Sequence, residues 1–303
     1  MSGKEGGTGH IIQSLIVNGL IASAKGVAAF FTGSGAMLAE AIHSAADCGN
    51  QLLLLRGVKE GKKPADATHP LGYGRNVYFW SFMVALLLFS GGGMFSIYEG
   101  VHKLQHPEPV GNITIAIVIL LVAIVLEGWA TLGNLKVMKQ RRGKTPFFTY
   151  LRATKDSDLV VVFGENSAAV LGLFLALGAL LIAKQTNDGR WDAVGSLAIG
   201  AVLVGVAIFL AIEIKALLVG EAADPQLLTV IEELAAADDN VEKVVRTLTI
   251  QQGPGEILVA MKLKFKPGID SDRLCDVINQ FEAKLEQRVP EVKWSFIEPD
   301  HRD

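Results

Sequence analysis

The chain has 303 residues, half of them hydrophobic and 19% charged, with a mean hydropathy of +0.37 and a formal net charge of −3. The apolar residues fall in blocks rather than evenly, which sets aside a wholly soluble globule. Cys48 and Cys275 lie in different regions and exclude a disulfide framework, and no nucleic-acid partner is expected.

Six apolar blocks run over roughly 11–31, 34–56, 77–99, 112–135, 157–183 and 190–219. Each is close to the ~20 residues that span a bilayer core of about 30 Å. The first ten residues are Gly-rich and polar, without the order of a cleavable signal or an Arg-rich transit segment, so block one is expected to act as its own insertion signal. In block one, Asn18 has two readings, lining a cavity or bonding a neighbouring helix, and Glu127 in block four has the same two. Lys25 in block one and Glu99 in block three stand toward the outer ends of their spans, where snorkelling accounts for them. Gly91, Gly92 and Gly93 in block three, and Gly195, Gly200 and Gly205 in block six, read as surfaces for close helix packing. Asp192 opens block six and reads as a cap rather than a midplane group. Cys48 reads as packing.

The basic residues are asymmetric. Segment 57–76 carries Lys59, Lys62, Lys63 and Arg75, and segment 136–156 carries Lys136, Lys139, Arg141, Arg142, Lys144, Arg152 and Lys155. Positive charge is retained on the cytoplasmic side. The expectation is therefore a multi-pass integral membrane protein with both termini cytoplasmic, its location a bacterial inner (plasma) membrane.

From about residue 221 the pattern changes to α-β-β-α-β. Pro225 opens a helix through Ala237. Strands over 241–251 and 256–266 flank the hairpin signal Gly253-Pro254-Gly255. An amphipathic helix over 270–289 starts with Ser271/Asp272 as cap, and 292–297 forms the last strand. The fold class is thus six transmembrane helices over 1–220 followed by a cytoplasmic α+β ferredoxin-like domain over 221–303. An exposed apolar sheet face would favour a homodimer.

Inside the second block, His43 and Asp47 stand four residues apart, on one helix face and one turn from each other. Both are common metal ligands, and both are costly in hydrocarbon without a partner or a wet cavity. A polar pair joining two helices is the plainer alternative. Glu165 lies about nine residues into block five, ~13 Å at 1.5 Å per residue. Asp47 is a similar distance from the cytoplasmic end of its own block. Matched depth near the midplane favours one shared site.

Four fragments in order then resemble one family. They are Ser34-Gly35-Ala36-Met37-Leu38-Ala39-Glu40-Ala41-Ile42-His43-Ser44-Ala45-Ala46-Asp47 with Asn50 following, His69-Pro70-Leu71-Gly72-Tyr73-Gly74-Arg75, Leu218-Val219-Gly220-Glu221, and Ile297-Glu298-Pro299. Together they resemble the cation diffusion facilitators, over nearly the whole chain. The stretch from Gly164 to Gly172 is most similar to the branch containing the ninth human zinc transporter. The resemblance implies exchange of a divalent metal for protons through a tetrahedral site built by two ligands on helix two and two on helix five. His43 and Asp47 match the first pair and Glu165 the third position. The fourth position is Ala169, which cannot ligate, leaving water, exchanging solvent or the amide oxygen of Asn166. Asp66 and His69 resemble part of an accessory metal site, but Tyr73 stands where a further histidine would strengthen it, and a loop-structuring role is favoured.

One imidazole and two carboxylates suit Zn2+, the default that the resemblance implies, and also Mn2+, Fe2+, Co2+ or Cd2+. The metal is cargo, and no prosthetic group is expected. Proton coupling follows from competition for a neutral imidazole. Two other classes deserve comparison. A membrane metal sensor is disfavoured by a tail whose one histidine is His301. An intramembrane metal-dependent hydrolase is disfavoured because neither HExxH nor a nucleophile elbow occurs.

Overall fold

The computed structural model describes residues 6–107, 113–155 and 157–301. The amino-terminal stretch before residue 6, the first residue of block four and the last two residues of the chain lie outside the described residues. The chain divides into two compact units. One comprises residues up to Lys59, Phe79–Leu151 and Ser157–Ile214; the other comprises Glu60–Tyr78, Arg152–Asp156 and Lys215–Asp303.

The first unit is helical. Its long elements are α1 (Gly6–Thr32), α2 (Gly35–Gly61), α3 (Asn76–Leu87) continued through a π-helical turn (Leu88–Met94) into α4 (Phe95–Gln105), α5 (Ile113–Arg142), α7 (Ser157–Thr186) and α8 (Arg190–Val219). Among the described residues, four stretches are long and apolar enough to cross a membrane: Asn76–Gln105, Ile113–Arg142, Leu159–Thr186 and Arg190–Val219. Several helices outrun the apolar blocks. Basic segment 136–156 contains the end of α5 and the short helix α6 (Phe147–Ala153). Lys and Arg are good helix formers and suit the last turn, where the helix dipole is negative.

The glycines of block three have a definite structural role. Gly91, Gly92 and Gly93 sit in the π-helical turn, a wider helical turn often found at functional sites. A Cβ at Gly93 would stand 2.7 Å from Val204 Cγ2, and one at Gly200 would stand 2.6 Å from Ile97 Cγ1. Only glycine at both positions lets α8 approach this helix so closely. A Cβ at Gly195 would likewise stand 2.5 Å from Ala179 Cβ, joining α8 to α7, whereas nothing lies within 4 Å at Gly205. Gly205 therefore takes no part in the close-packed surface.

In the second unit, α9 (Pro225–Ala236) precedes β1 (Val241–Gly253), β2 (Glu256–Phe265), α10 (Ser271–Arg288) and β3 (Val292–Pro299). The sheet order is β1-β2-β3, with β1 antiparallel and β3 parallel to β2. The parallel pairing needs a crossover, which α10 supplies. Alternation along β2 sends Ile257, Val259, Met261 and Leu263 onto α9 and α10, where they meet Ile231, Phe281 and Leu285. The opposite face carries the row Leu248, Ala260 and Phe296, of which Leu248 is 47% and Phe296 58% exposed. The cap of α10 is Asp270, not Ser271 or Asp272. Its side chain accepts from Arg273 N, reaching the third helical amide as a cap does. Loop 60–78 belongs to this unit. A Cβ at Gly74 would stand 2.8 Å from Gln252 O, so only glycine allows the loop backbone to rest on the β1–β2 hairpin.

Phe281 is fully buried at the centre of this core. Phe281→Ala should therefore destabilise the unit by about 3–5 kcal/mol. Amide hydrogen exchange along β2 should accelerate accordingly; unchanged exchange there would place the centre of the core elsewhere.

Candidate functional site

One face of α2 carries Glu40, His43, Ser44, Asp47 and Asn50, all buried. The small residues before and among them, Ala36, Ala39, Ala41 and Ala46, let neighbouring helices close over this polar stripe. His43 has no exposed surface. Its Nδ1 lies 3.6 Å from Asp47 Oδ1, beyond hydrogen-bond reach. Both His43 ring nitrogens and Asp47 Oδ1 are buried without a hydrogen-bond partner among the described residues. Buried polar atoms are nearly always paired, so such a group of orphans needs a reason.

Asn50, one turn beyond Asp47, bridges to α7 by donating from Nδ2 to Glu165 Oε1 at 2.5 Å. Its role is to position Glu165. The available signal was its spacing, three residues from Asp47 and seven from His43, which places all three on one helix face.

A cavity of about 430 Å³ opens beside these groups, lined in part by Asn18, Asp47, Glu127, Asn134, Glu165 and Asn166. The structure thus gathers Asp47, Glu165 and Asn166 around one space and places His43 a turn further along α2. Of their two readings, Asn18 and Glu127 take the cavity-lining one. Ala169 is buried but does not line the cavity, whereas Asn166 does. Among the described residues, no three His, Cys, Asp or Glu side chains stand close enough together to hold an ion as they are placed. The groups surround a space instead of closing on a point. Chemically, carboxylate and amide groups face a cavity within an apolar helical unit, with a nitrogen donor, His43, buried one turn along α2.

Lys25 does not snorkel. Its side chain is fully buried, donating from Nζ to Glu40 Oε2 at 3.2 Å and to Ser44 Oγ at 2.8 Å. A lysine this deep keeps its charge acceptable by pairing, not by reaching water. Glu40 Oε1 lies against Gly172 of α7, where any side chain would collide. Glu99 is also largely buried and faces Lys103 at 4.0 Å.

Asp192 is a cap, but of a different helix from the one expected. It accepts from Ser34 Oγ at 2.6 Å, Gly35 N at 2.5 Å and Ala36 N at 3.3 Å, at the start of α2. Ser34 Oγ in turn accepts from Met37 N. Lys103 Nζ stands 3.8 Å from Asp192 Oδ2 and donates to Gly33 O. The carboxylate thus meets both the orphan amides and the positive dipole end of the helix that bears His43 and Asp47.

Asp66 and His69 lie in loop 60–78 of the second unit. Asp66 Oδ1 accepts from Thr68 N at 2.9 Å, Thr68 Oγ1 at 2.7 Å and His69 N at 2.8 Å, and Oδ2 accepts from Tyr73 OH at 2.7 Å. Four donors engage this carboxylate in holding the loop. Tyr73 also lies against His69, with ring centroids 4.1 Å apart and ring planes tilted by 31°. The Tyr73 hydrogen bond, followed by those from Thr68 and His69, holds the Asp66 carboxyl well below the usual carboxylate range. The same bond raises the Tyr73 phenol above its ordinary value.

A sequence model described as the cation efflux transmembrane domain matches residues 11–219. The chain belongs to the cation efflux family. Among relatives in this family, the mitochondrial proton-coupled zinc antiporter SLC30A9 of Xenopus laevis is 31% identical over 86% of this chain and 46% of its own length. The human protein of that name is 30% identical over 88% of this chain and 46% of its own length. Metal tolerance protein C4 of Arabidopsis thaliana is 30% identical over 86% of this chain and 56% of its own length. The chain spans about half the length of these relatives. The match sets the chain in a family of membrane-embedded efflux proteins rather than enzymes, and the likeness to the branch of the ninth human zinc transporter holds.

Two measurements test the groups around the site. Lys25→Met should strand Glu40 as a buried, unpaired charge, a loss of about 3–5 kcal/mol. The double variant Lys25→Met/Glu40→Gln should recover much of that in a thermal unfolding assay; a double variant no better than the single one would deny the pairing. For the loop, a carboxylate with a lowered folded pKa contributes stability above its unfolded value, about 3.9, and loses it as pH falls toward the folded value. Protection of the Thr68 and His69 amides, taken relative to unstructured peptide at the same pH, should therefore be high at neutral pH and fall below about pH 3.9. In Asp66→Ala that protection should be low at every pH.

Proposed function

We propose that this protein is a secondary transporter that carries divalent metal cations across a membrane, with Zn2+ as the favoured cargo and protons as the exchanged ion. The observation that carries the reading is the cavity between α2, α5 and α7, where Asp47, Glu165 and Asn166 meet beside a fully buried His43 with both ring nitrogens unpartnered. A neutral imidazole and two carboxylates offer a divalent ion charge compensation and mixed donors that Zn2+ accepts readily. The names of the relatives speak for zinc and for proton coupling.

In this reading α1 and α2, each 27 residues, join the four apolar stretches to make six spans. At 1.5 Å per residue each rises about 40 Å, enough to cross. The polar stripe on α2 is buried among the helices, with Asp47 at the cavity, and does not face lipid, which reconciles it with a membrane setting. His43, Asp47 and Glu165 are the ligands, with Asn166 or water completing the shell. Incomplete protein ligation suits cargo that must leave as well as bind. Protons compete for the same groups, so loading the ion on one side and protons on the other drives alternation. The transport domain covers 1–220, and the tail over 221–303 is cytoplasmic, with both termini on that side. Its open sheet face, with Leu248 and Phe296, pairs two copies into a homodimer. A bacterial inner membrane is the setting we favour.

The test is flux. In proteoliposomes with an imposed pH gradient, Asp47→Ala should abolish Zn2+ uptake while the protein stays folded and inserted. His43→Ala should do likewise, or shift preference toward Mn2+ by removing the nitrogen donor. Near-normal flux in both variants would sink the site, and flux indifferent to the pH gradient would sink proton coupling.

A further inference from the structure

We infer that Glu127 supplies a further carboxylate ligand to the cation cavity, in the role that Ala169 leaves empty. The inference rests on the proposed transport reading and deepens it. Glu127 lies on α5, outside the two helices that bear the other candidate ligands. Along α5 the buried residues Ala116, Leu120, Ala123 and Glu127 form one stripe, while Val125, Trp129 and Leu132 are exposed. Glu127 thus takes a place in the inner stripe of a span where an apolar residue would pack without cost.

The side chain is 8% exposed, yet its carboxylate makes no hydrogen bond or ion pair among the described residues. Lys25 lies near enough to act on Glu127 electrostatically, but it gives its hydrogen bonds to Glu40 and Ser44. What Glu127 does face is the cavity that it shares with Asp47, Glu165 and Asn166. Helix α5 packs along α7, which is what brings a residue of α5 to the position of Glu165. A carboxylate kept in an apolar span, with no hydrogen bond of its own among the described residues and turned to the cavity, is placed to take a cation. Asp47 Oδ1, itself buried and without a partner, points to the same ligand independently.

As placed, these groups encircle the space. Glutamate has the reach and torsional freedom to close on an ion from the third helix. The completed set is one imidazole with carboxylates from α2, α5 and α7. Its oxygen bias leaves Mn2+ and Fe2+ competitive with Zn2+, unlike a set with two nitrogens.

The experiment uses the full chain in lipid nanodiscs, with binding of Zn2+ and Mn2+ measured at equilibrium and bound Co2+ observed by visible absorption. Glu127→Gln keeps the size and removes the charge. It should weaken both Zn2+ and Mn2+ by about tenfold or more and change the Co2+ spectrum. Glu127→His should restore Zn2+ but not Mn2+, a reversal that a packing role would not produce. Asp47→Ala is the control for the underlying site. If Asp47→Ala abolishes binding while Glu127→Gln leaves affinities and spectrum as in the parent, the role of Glu127 is overturned and the transport site stands. If Asp47→Ala leaves binding intact, the site itself fails, and the inference with it. Should Glu127→Gln fail to fold, Glu127→His carries the test: equal loss of both metals would overturn the inference.

Discussion

Ionisable groups inside an apolar helical unit must find partners or a polar cavity, and the arrangement of the first unit follows from that requirement. A charge left alone in hydrocarbon is costly enough to exclude it from a stable fold. Lys25, Glu40, Asp47, Glu127, Glu165 and Asp192 are all buried there, and they divide by how the requirement is met. Lys25 pairs with Glu40 Oε2 and with Ser44, leaving Glu40 Oε1 without a hydrogen bond among the described residues. Asp192 is satisfied by a hydroxyl and two backbone amides at the start of α2. Asp47, Glu127 and Glu165 turn toward the cavity.

That division separates structure from chemistry. The paired groups hold α1, α2 and α8 in register and leave little capacity for a ligand. The cavity-facing groups remain available to one, at the expense of stability. Asn50 stands between the two classes, because its hydrogen bond orients Glu165 without neutralising it. Close packing lets these polar contacts form at hydrogen-bond distance. Glycines at 93, 195 and 200 bring backbones together, and Gly172 leaves room for the Glu40 carboxylate. The π-helical turn at Leu88–Met94 marks where the third long helix departs from regular winding beside α8, a place suited to small shifts between packed helices.

The second unit follows a different pattern: β2 alternates, burying one face, and α10 turns its apolar residues to the same core. Loop 60–78 belongs to this unit and is organised around the Asp66 carboxylate. The open row of Leu248, Ala260 and Phe296 is the one face of the sheet that the unit's own helices do not cover.

Much of this was legible in the chain itself. Apolar blocks set the long helices because bilayer thickness fixes a length, and period-two alternation set the strands because a sheet has two faces. The spacing of His43 and Asp47 set a shared helix face, and the depth read for Glu165 matched that of Asp47, beside which it lines the cavity. Other features were decided only by tertiary structure. Lys25 looked free to snorkel because its partner, Glu40, lies on another helix. Asp192 looked like a cap for its own helix, but the amides in reach belonged to α2. Glu127 had two readings until packing of α5 along α7 turned it to the cavity. The reason is common to all three. Helical periodicity is written locally in sequence, whereas the partner of a buried charge is whichever group the packing of distant segments brings within about 3–4 Å.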